Sequence, residues 1–140
     1  MTLFLDTAIF MYAGGAEHPL RAPCGAILRQ IDDGSLDATT SVEVVQEIFH
    51  RFLAIRRPEV GAAMARQVLD AFAPVLPITH SVMRRVSGLV EAYPALSARD
   101  VVHVATCIGE GIDTIVSPDR GFDQVREIRR LDPAEVAAAS

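Results

Sequence analysis

Apolar residues along this chain follow two patterns, and these patterns predict its elements. Short continuous apolar runs, such as Leu3-Phe4-Leu5 and Thr114-Ile115-Val116, have the length of buried strands. Longer segments, such as residues 41–55, repeat their apolar positions with helical spacing. We predict strands at residues 2–5, 38–40, 74–78, 113–116 and 127–129, and helices at residues 7–11, 20–31, 41–55, 59–72, 80–92 and 97–109.

Strands that alternate with helices predict an α/β fold with a central, mostly parallel sheet. The last strand is polar, so we expect it at an edge of the sheet. A chain of 140 residues can bury a core of its own, and we expect a single domain over residues 1–140. We expect its last few, Ala-rich residues to be frayed.

Composition indicates the compartment in which the chain works. Hydrophobic residues make up 50% and charged residues 22%, which is ordinary for a soluble globular protein. No apolar stretch approaches the ~20 residues of a membrane span, and we expect no secretory signal. Cys24 and Cys107 are isolated, which favours buried thiols in a reducing compartment over a disulfide or a zinc site. We therefore expect a cytoplasmic protein without a membrane partner.

The net charge of -5 argues against a nucleic-acid-binding protein at first sight. The argument weakens if several acidic residues bind cations, because the cations then cancel part of that charge. All 13 basic residues are arginine, the better bidentate partner of phosphate, although a GC-rich genome produces the same bias.

Two acidic residues stand where apolar runs end, more than a hundred residues apart. Asp6 follows the first predicted strand, and Asp119 follows the strand at residues 113–116. Since the carboxyl ends of parallel strands form the ligand-binding edge of an open sheet, both carboxylates are candidates for a shared site. Each also has a purely structural explanation, Asp6 as a helix N-cap and Asp119 as a turn residue.

Two further acidic residues lie in predicted helices. Asp100 borders an apolar stripe that contains Val104, where a carboxylate is costly unless it is paired or binds metal. The alternative is a first-turn acid behind a Ser97 cap. Glu47 falls on the polar side of its helix, and periodicity alone makes Glu43 an equal candidate.

These four carboxylates would repel one another at one sheet edge unless a divalent cation lay among them. A hard cation such as Mg²⁺ prefers oxygen ligands, and bound ions can promote phosphodiester cleavage by activating water. The combination of residues therefore indicates metal-dependent chemistry on a phosphate ester.

The residues also resemble four motifs of the PIN-domain ribonucleases, specifically the VapC-type toxins of toxin–antitoxin pairs. The resemblance covers the chain from Leu3 to about Asp132. The motifs are an apolar strand ending in Asp-Thr, a Ser followed six residues later by a helical Glu, an Asp that opens a helix with a downstream His, and Ser-x-Asp-x-x-Phe. In this chain they are Leu5-Asp6-Thr7, Ser41 to Glu47, Asp100 to His103, and Ser117-Pro118-Asp119-Arg120-Gly121-Phe122.

The resemblance selects Glu47 over Glu43 and implies a three-layer α/β/α fold. It implies Mg²⁺ or Mn²⁺ bound by the four acidic residues and endonucleolytic cleavage of RNA, often tRNA or ribosomal RNA. It also implies homodimerisation and a cognate VapB-type antitoxin that blocks the site. Our hypothesis is that Asp6 and Asp100 hold the main ion, while Asp119 and Glu47 complete the pocket.

Several other residues are secondary candidates. Thr7 and Ser117 could hydrogen-bond the carboxylates or a phosphate oxygen, although capping and turn support explain both better. Arg120 could steer phosphate or be a solvated turn residue, and Asp123 could be a further ligand. A solvated surface explains Arg51, Arg56 and Arg57 better than a phosphate rail, and His103 fits a hydrogen-bonded helix residue better than a proton shuttle.

Three unrelated classes of site fit the sequence less well. A HAD-type phosphatase needs a second Asp where Ala8 stands, and a response-regulator receiver needs a lysine, which this chain lacks. A di-iron carboxylate bundle would use the Glu47–His50 and Asp100–His103 spacings, but it needs an all-helical fold. The remaining alternative is a catalytically idle PIN-like binding module.

Overall fold

The computed structural model describes residues 1–139. Its strands are β1 (Leu3–Leu5), β2 (Ala38–Thr39), β3 (Thr114–Val116) and β4 (Arg129–Leu131). Its helices are α1 (Thr7–Ala13), α2 (Arg21–Asp32), α3 (Val42–Ala54), α4 (Pro58–Ala71), α5 (His80–Ala92), α6 (Ala98–Gly109) and α7 (Pro133–Ala138), with a short 3-10 helix at Arg120–Gln124. Within residues 1–139, each helix is too short or too polar to cross a membrane.

The four strands form one parallel sheet in the order β2-β1-β3-β4. The central strands β1 and β3 are completely buried, and Leu5 lies opposite Val116 in their register. Helices flank the sheet, so the predicted three-layer α/β/α architecture is confirmed. The residues that follow Leu5 and Val116 therefore emerge side by side at the carboxyl edge of the sheet.

The predicted strand at residues 74–78 is reduced to a single parallel bridge between Leu76 and Ser41. The N–H of Leu76 donates to Thr40, and the carbonyl of Leu76 accepts from Val42, both across 2.9 Å. Pro74 has no N–H with which to extend the ladder before Leu76, and beyond Ser41 the paired segment enters α3 at Val42, so the pairing stops after one bridge.

The C-terminal segment differs from the prediction in two places. Strand β4 begins at Arg129, two residues later than expected, because its pairing with Thr114 of β3 sets the register. Helix α7, which the sequence did not predict, is capped by Asp132 and buries Val136 against the core, and it includes Ala137 and Ala138 of the Ala-rich tail. Residue 140 lies outside the described part of the chain.

Two serine caps fix the start of the helices that carry predicted site residues. The hydroxyl of Ser41 accepts a hydrogen bond from the backbone N–H of Val44 at the start of α3. The hydroxyl of Ser97 accepts one from the backbone N–H of Asp100 at the start of α6. Helix α6 is buried continuously over residues 101–107, and Cys107 is a free, buried thiol as expected. The long buried face of α6 holds its N-terminal turn against the carboxyl edge of the sheet.

Candidate active site

Asp6 lies directly after β1 and its carboxylate is fixed by two donors. The Asp6 N–H extends the ladder by donating to Val116 across 3.1 Å. Its Oδ1 accepts from the N–H of Thr7 at 2.8 Å, and its Oδ2 accepts from the hydroxyl of Ser117 at 2.7 Å. Asp6 is only 7% exposed. Burial raises the pKa of Asp6 despite the opposing influence of His103 and of these two donors.

Helix α6 presents Asp100 and His103 one turn apart on the same side. Asp100 is half-buried, and burial, followed by the neighbouring charge of Asp6, raises the pKa of Asp100 to about 6. His103 is fully buried and its Nε2 lies 3.5 Å from Oδ1 of Asp6. The two side chains therefore meet Asp6 in one crowded space.

Glu47 reaches the same space from α3. Its Oε1 lies 2.6 Å from Nε2 of His103. Burial alone would raise the pKa of Glu47, but His103, Thr7 and Arg99 together outweigh burial and hold that pKa below its usual value. Glu47 is thus kept ionised beside a buried imidazole.

Glu43 lies one turn before Glu47 on α3 and is half-buried. Burial, followed by the charge of Glu47, raises the pKa of Glu43. Glu43 does not line the cavity into which Asp6 and Glu47 open. The structure therefore shows which of the two glutamates faces the acidic cavity, a distinction that helical periodicity could not make.

Asp119 is the N-cap of the 3-10 helix that follows β3 in the chain. Its Oδ1 accepts from the N–H of Gly121 at 2.8 Å, and its own N–H donates to the hydroxyl of Ser117 at 3.0 Å. Asp119 is exposed, and its charge contributes to the raised pKa of Asp100. Ser117 therefore contacts Asp6 and orders the loop of Asp119 with one hydroxyl.

The acidic residues line a cavity of about 1200 Å³. Its wall includes all four predicted carboxylates and a second group of basic and aromatic residues. The acidic group is Asp6, Glu47, Asp100 and Asp119; the second group is Tyr12, His18, His50, Arg51, Phe52, Arg57 and Arg99. The cavity can therefore receive a charged ligand through cationic contacts while its acidic residues bind a cation.

Comparison with known proteins agrees with this geometry. Residues 3–128 match the family described as the PIN domain. The chain belongs to the PIN-domain family. This PIN domain is 34% identical to VapC ribonuclease Mb1869c of Mycobacterium bovis and to Ribonuclease VapC13 of Mycobacterium tuberculosis, in each case over 92% of this chain and 98% of the relative.

Solved structures share the fold of this PIN domain. VapBC2 from Rickettsia felis, bound to a DNA fragment from its promoter, has a TM-score of 0.74 at 15% identity and covers 94% of this chain and 98% of its own. FitAcB from Neisseria gonorrhoeae has a TM-score of 0.72 at 18% identity and covers 94% and 97%.

The donor atoms of this PIN domain fit a divalent cation. One ligand atom each from Asp6, Asp100 and His103 lie within 4.8 Å of one another. Two of these three groups are carboxylates whose raised pKa values reflect desolvation and crowding, a cost that a bound cation would remove. Nε2 of His103 already faces Glu47, so the carboxylate oxygen atoms are the donors of this group that are left to face a cation.

The secondary candidates separate into two sets. Thr7 lines the cavity, and Ser117, the residue that follows β3, donates its hydroxyl to Asp6. Arg120 is exposed and lies outside the cavity lining. Asp123 also lies outside it and forms a bidentate pair with Arg130, with distances of 2.8 and 3.3 Å. Asp123 thus pairs with Arg130 outside the cavity lining, and its role as a further ligand, suggested by the sequence, stays a prediction.

The arginines of the α3–α4 region are also divided. Arg51 and Arg57 line the cavity, and Arg57 pairs with Glu59 at 3.4 Å. Arg56 does not line it. The three arginines therefore do not form a continuous phosphate-binding row along the cavity wall.

Sequence reasoning did not assign His103 to this site. The structure places it at the centre of the acidic group, in contact with Glu47 and Asp6. The available signal was the three-residue spacing from Asp100, which puts both side chains on one face of α6. The pattern could not show which acidic residue on another element would face the imidazole.

Proposed function

We propose that this PIN domain is a metal-dependent endoribonuclease and the toxin of a type II toxin–antitoxin pair. The observation that carries the proposal is the meeting of Asp6, Asp100 and His103 within 4.8 Å, in a cavity that Glu47 and Asp119 also line. The four carboxylates come from four different elements, and no single structural role explains why they lie together. Binding of a divalent cation by their oxygen atoms explains it.

The ion of this proposal is Mg²⁺ or Mn²⁺, held by Asp6 and Asp100. Such an ion supplies activated water and charge stabilisation for hydrolysis of a phosphodiester. Glu47 and Asp119 complete the ligand shell directly or through water. Ser117 orients Asp6 through its hydroxyl, and His103 keeps Glu47 ionised. Arg51 and Arg99 line the same cavity and attract the RNA backbone.

The relatives support RNA as the substrate, since those at 34% identity are named as ribonucleases. The VapBC and other toxin–antitoxin complexes among the structural neighbours support a VapB-type antitoxin as the partner. With it we propose a single domain over residues 1–140, a homodimer and a cytoplasmic location. The RNA would be tRNA or ribosomal RNA.

Incubation of the purified protein with total RNA tests the activity. We expect discrete cleavage products with Mg²⁺ or Mn²⁺, none with EDTA, and none from the Asp100→Asn variant. Glu110→Gln, which removes a charge from the exposed far end of α6, is the matched control and should cleave like the wild type. Intact RNA in every lane would favour the idle binding module, and cleavage that survives both EDTA and Asp100→Asn would exclude this site.

Co-expression tests the partner. The gene adjacent to that of a toxin is expected to encode a small DNA-binding protein. Growth arrest on expression of the wild type, relieved by that neighbour and by Asp100→Asn, would support the toxin assignment. Arrest that Asp100→Asn leaves unchanged would contradict it.

A further inference from the structure

Two aromatic rings stack in the wall of the acidic cavity. The ring centroids of Tyr12 and His18 are 4.4 Å apart, and the ring planes differ by 30°. Tyr12 is half-buried near the end of α1, whereas His18 is exposed in the loop before α2. Both rings line the cavity that contains Asp6 and Asp100. The stack is thus part of the surface that a substrate of the acidic site would meet.

The His18 ring is fixed by its own loop. The N–H of Leu20 donates to Nδ1 of His18 across 3.0 Å. This bond leaves the proton of a neutral imidazole on Nε2, which donates to no other residue within the described range 1–139. Like Nε2 of His18, the Tyr12 hydroxyl makes no hydrogen bond to another residue in the described part of the chain. The two rings are therefore held in place while their polar edges remain available.

The same cavity wall carries the charge that a nucleic acid needs. Arg51, Arg57 and Arg99 line it together with the two rings. Arginine neutralises phosphates, and aromatic rings stack on bases whose faces are exposed. In a duplex the neighbouring base pairs cover those faces, so only an unpaired base can use such a stack.

We propose that Tyr12 and His18 form a stacking site for one unpaired nucleobase of the RNA bound at the acidic residues. This inference rests on the proposed ribonuclease function and adds a specificity determinant to it. RNA that is single-stranded at the cleavage site would be preferred over duplex RNA, with tolerance for the identity of the stacked base.

Binding to a non-cleaving protein tests the stack apart from catalysis. The Asp100→Asn protein is titrated against a labelled single-stranded oligoribonucleotide that the wild type cleaves, and anisotropy gives the Kd. Tyr12→Leu and His18→Leu are added to this background, with Tyr12→Phe to keep a ring. Phe49→Leu is the matched control, because Phe49 is 38% exposed on α3 and lies outside the cavity lining.

We expect Tyr12→Leu and His18→Leu each to weaken binding roughly 5- to 100-fold, with Tyr12→Phe and Phe49→Leu close to the parent. The same oligonucleotide is then tested with a single abasic site placed at each position in turn. One position should weaken binding of the parent, and Tyr12→Leu should cause no further loss with that abasic strand.

Other outcomes overturn the proposal. If the wild type cleaves RNA but Tyr12→Leu and His18→Leu bind it like the parent, the stacking site is wrong while the ribonuclease function stands. Losses that simply add at every abasic position would show that Tyr12 acts through the fold and not through a base. If no RNA is cleaved or bound by any form, the ribonuclease function fails and the stacking site fails with it.

Discussion

Nη1 of Arg130 donates a hydrogen bond to the carbonyl oxygen of Ser117 across 2.9 Å. Ser117 in turn contacts Asp6 through its hydroxyl and accepts from the N–H of Asp119. Arg130 is held by Asp123, whose pKa is lowered by this pairing. A side chain on the edge strand β4 therefore sets the position of the serine on which two carboxylates depend.

Arg130→Met should reduce RNA cleavage roughly 10- to 100-fold, because small displacements of positioned groups are costly to catalysis. Arg130→Lys should recover part of the activity, since lysine keeps the charge but not the two-pronged geometry. Arg129→Met is the matched control on the same strand and should cleave normally, because Arg129 is exposed. Equal losses in the Arg129 and Arg130 variants would show that β4 matters only for folding.

Asp100→Asn should raise the melting temperature of the metal-free protein while abolishing cleavage. The ionised form of Asp100 is disfavoured by burial and by Asp6, which raise the pKa of Asp100 to about 6. Its neutralisation should stabilise the fold by on the order of 1 kcal/mol, after allowance for solvent screening at this half-exposed site. Thermal unfolding in EDTA measures the effect. The exposed Asp70→Asn removes the same charge and should leave the melting temperature unchanged. A decrease for Asp100→Asn would make Asp100 a structural cap.

The same raised pKa values give the metal-free protein a pH dependence. The folded state binds the proton of Asp100 more tightly than the unfolded chain does, so stability falls as pH rises from about 4 through about 6. Burial raises the pKa of Asp6 in the same direction. The difference in melting temperature between Asp100→Asn and the wild type should grow over this range. A difference that is constant with pH would show that Asp100 does not titrate as the fold implies.

Local rules were enough to make three of the four carboxylates candidates from the sequence, because Asp6 and Asp119 follow strand ends and Asp100 lies in the first turn of a helix capped by serine. Glu47 was selected over Glu43 only by the resemblance to the PIN-domain motifs, because helical periodicity left the two glutamates equal. Strand ends and caps depend on neighbours within a few residues, so the pattern of the chain reveals them.

Features that depend on distant partners escaped the sequence. The contact of His103 with Glu47 joins α6 to α3, and the pair of Arg130 with Asp123 joins β4 to the 3-10 helix. The register of β4 is set by β3 and not by its own polar residues. Helix α7 has only six residues, and so short a helix forms because it packs on the core.

Divalent metal should raise the melting temperature of the wild type, because an ion that binds only the folded state stabilises it, and above the dissociation constant the rise should grow with the logarithm of the metal concentration. Asp6→Asn and Asp100→Asn should lose this rise. Asp123→Asn should keep it, since Asp123 pairs with Arg130 outside the cavity lining. Titration of Mn²⁺ followed by EDTA gives the comparison. If only Asp123→Asn lost the metal-induced increase in melting temperature, Asp123 would be a metal ligand and the assignment to Asp6 and Asp100 would be wrong.

The most direct test of the site is a crystal structure of the Mn²⁺-loaded protein, with the ion located by its anomalous scattering. We predict a peak between the carboxylates of Asp6 and Asp100, within direct or water-mediated reach of Glu47 and Asp119. Peaks that lie only elsewhere on the surface, with these carboxylates fully hydrated, would contradict the account.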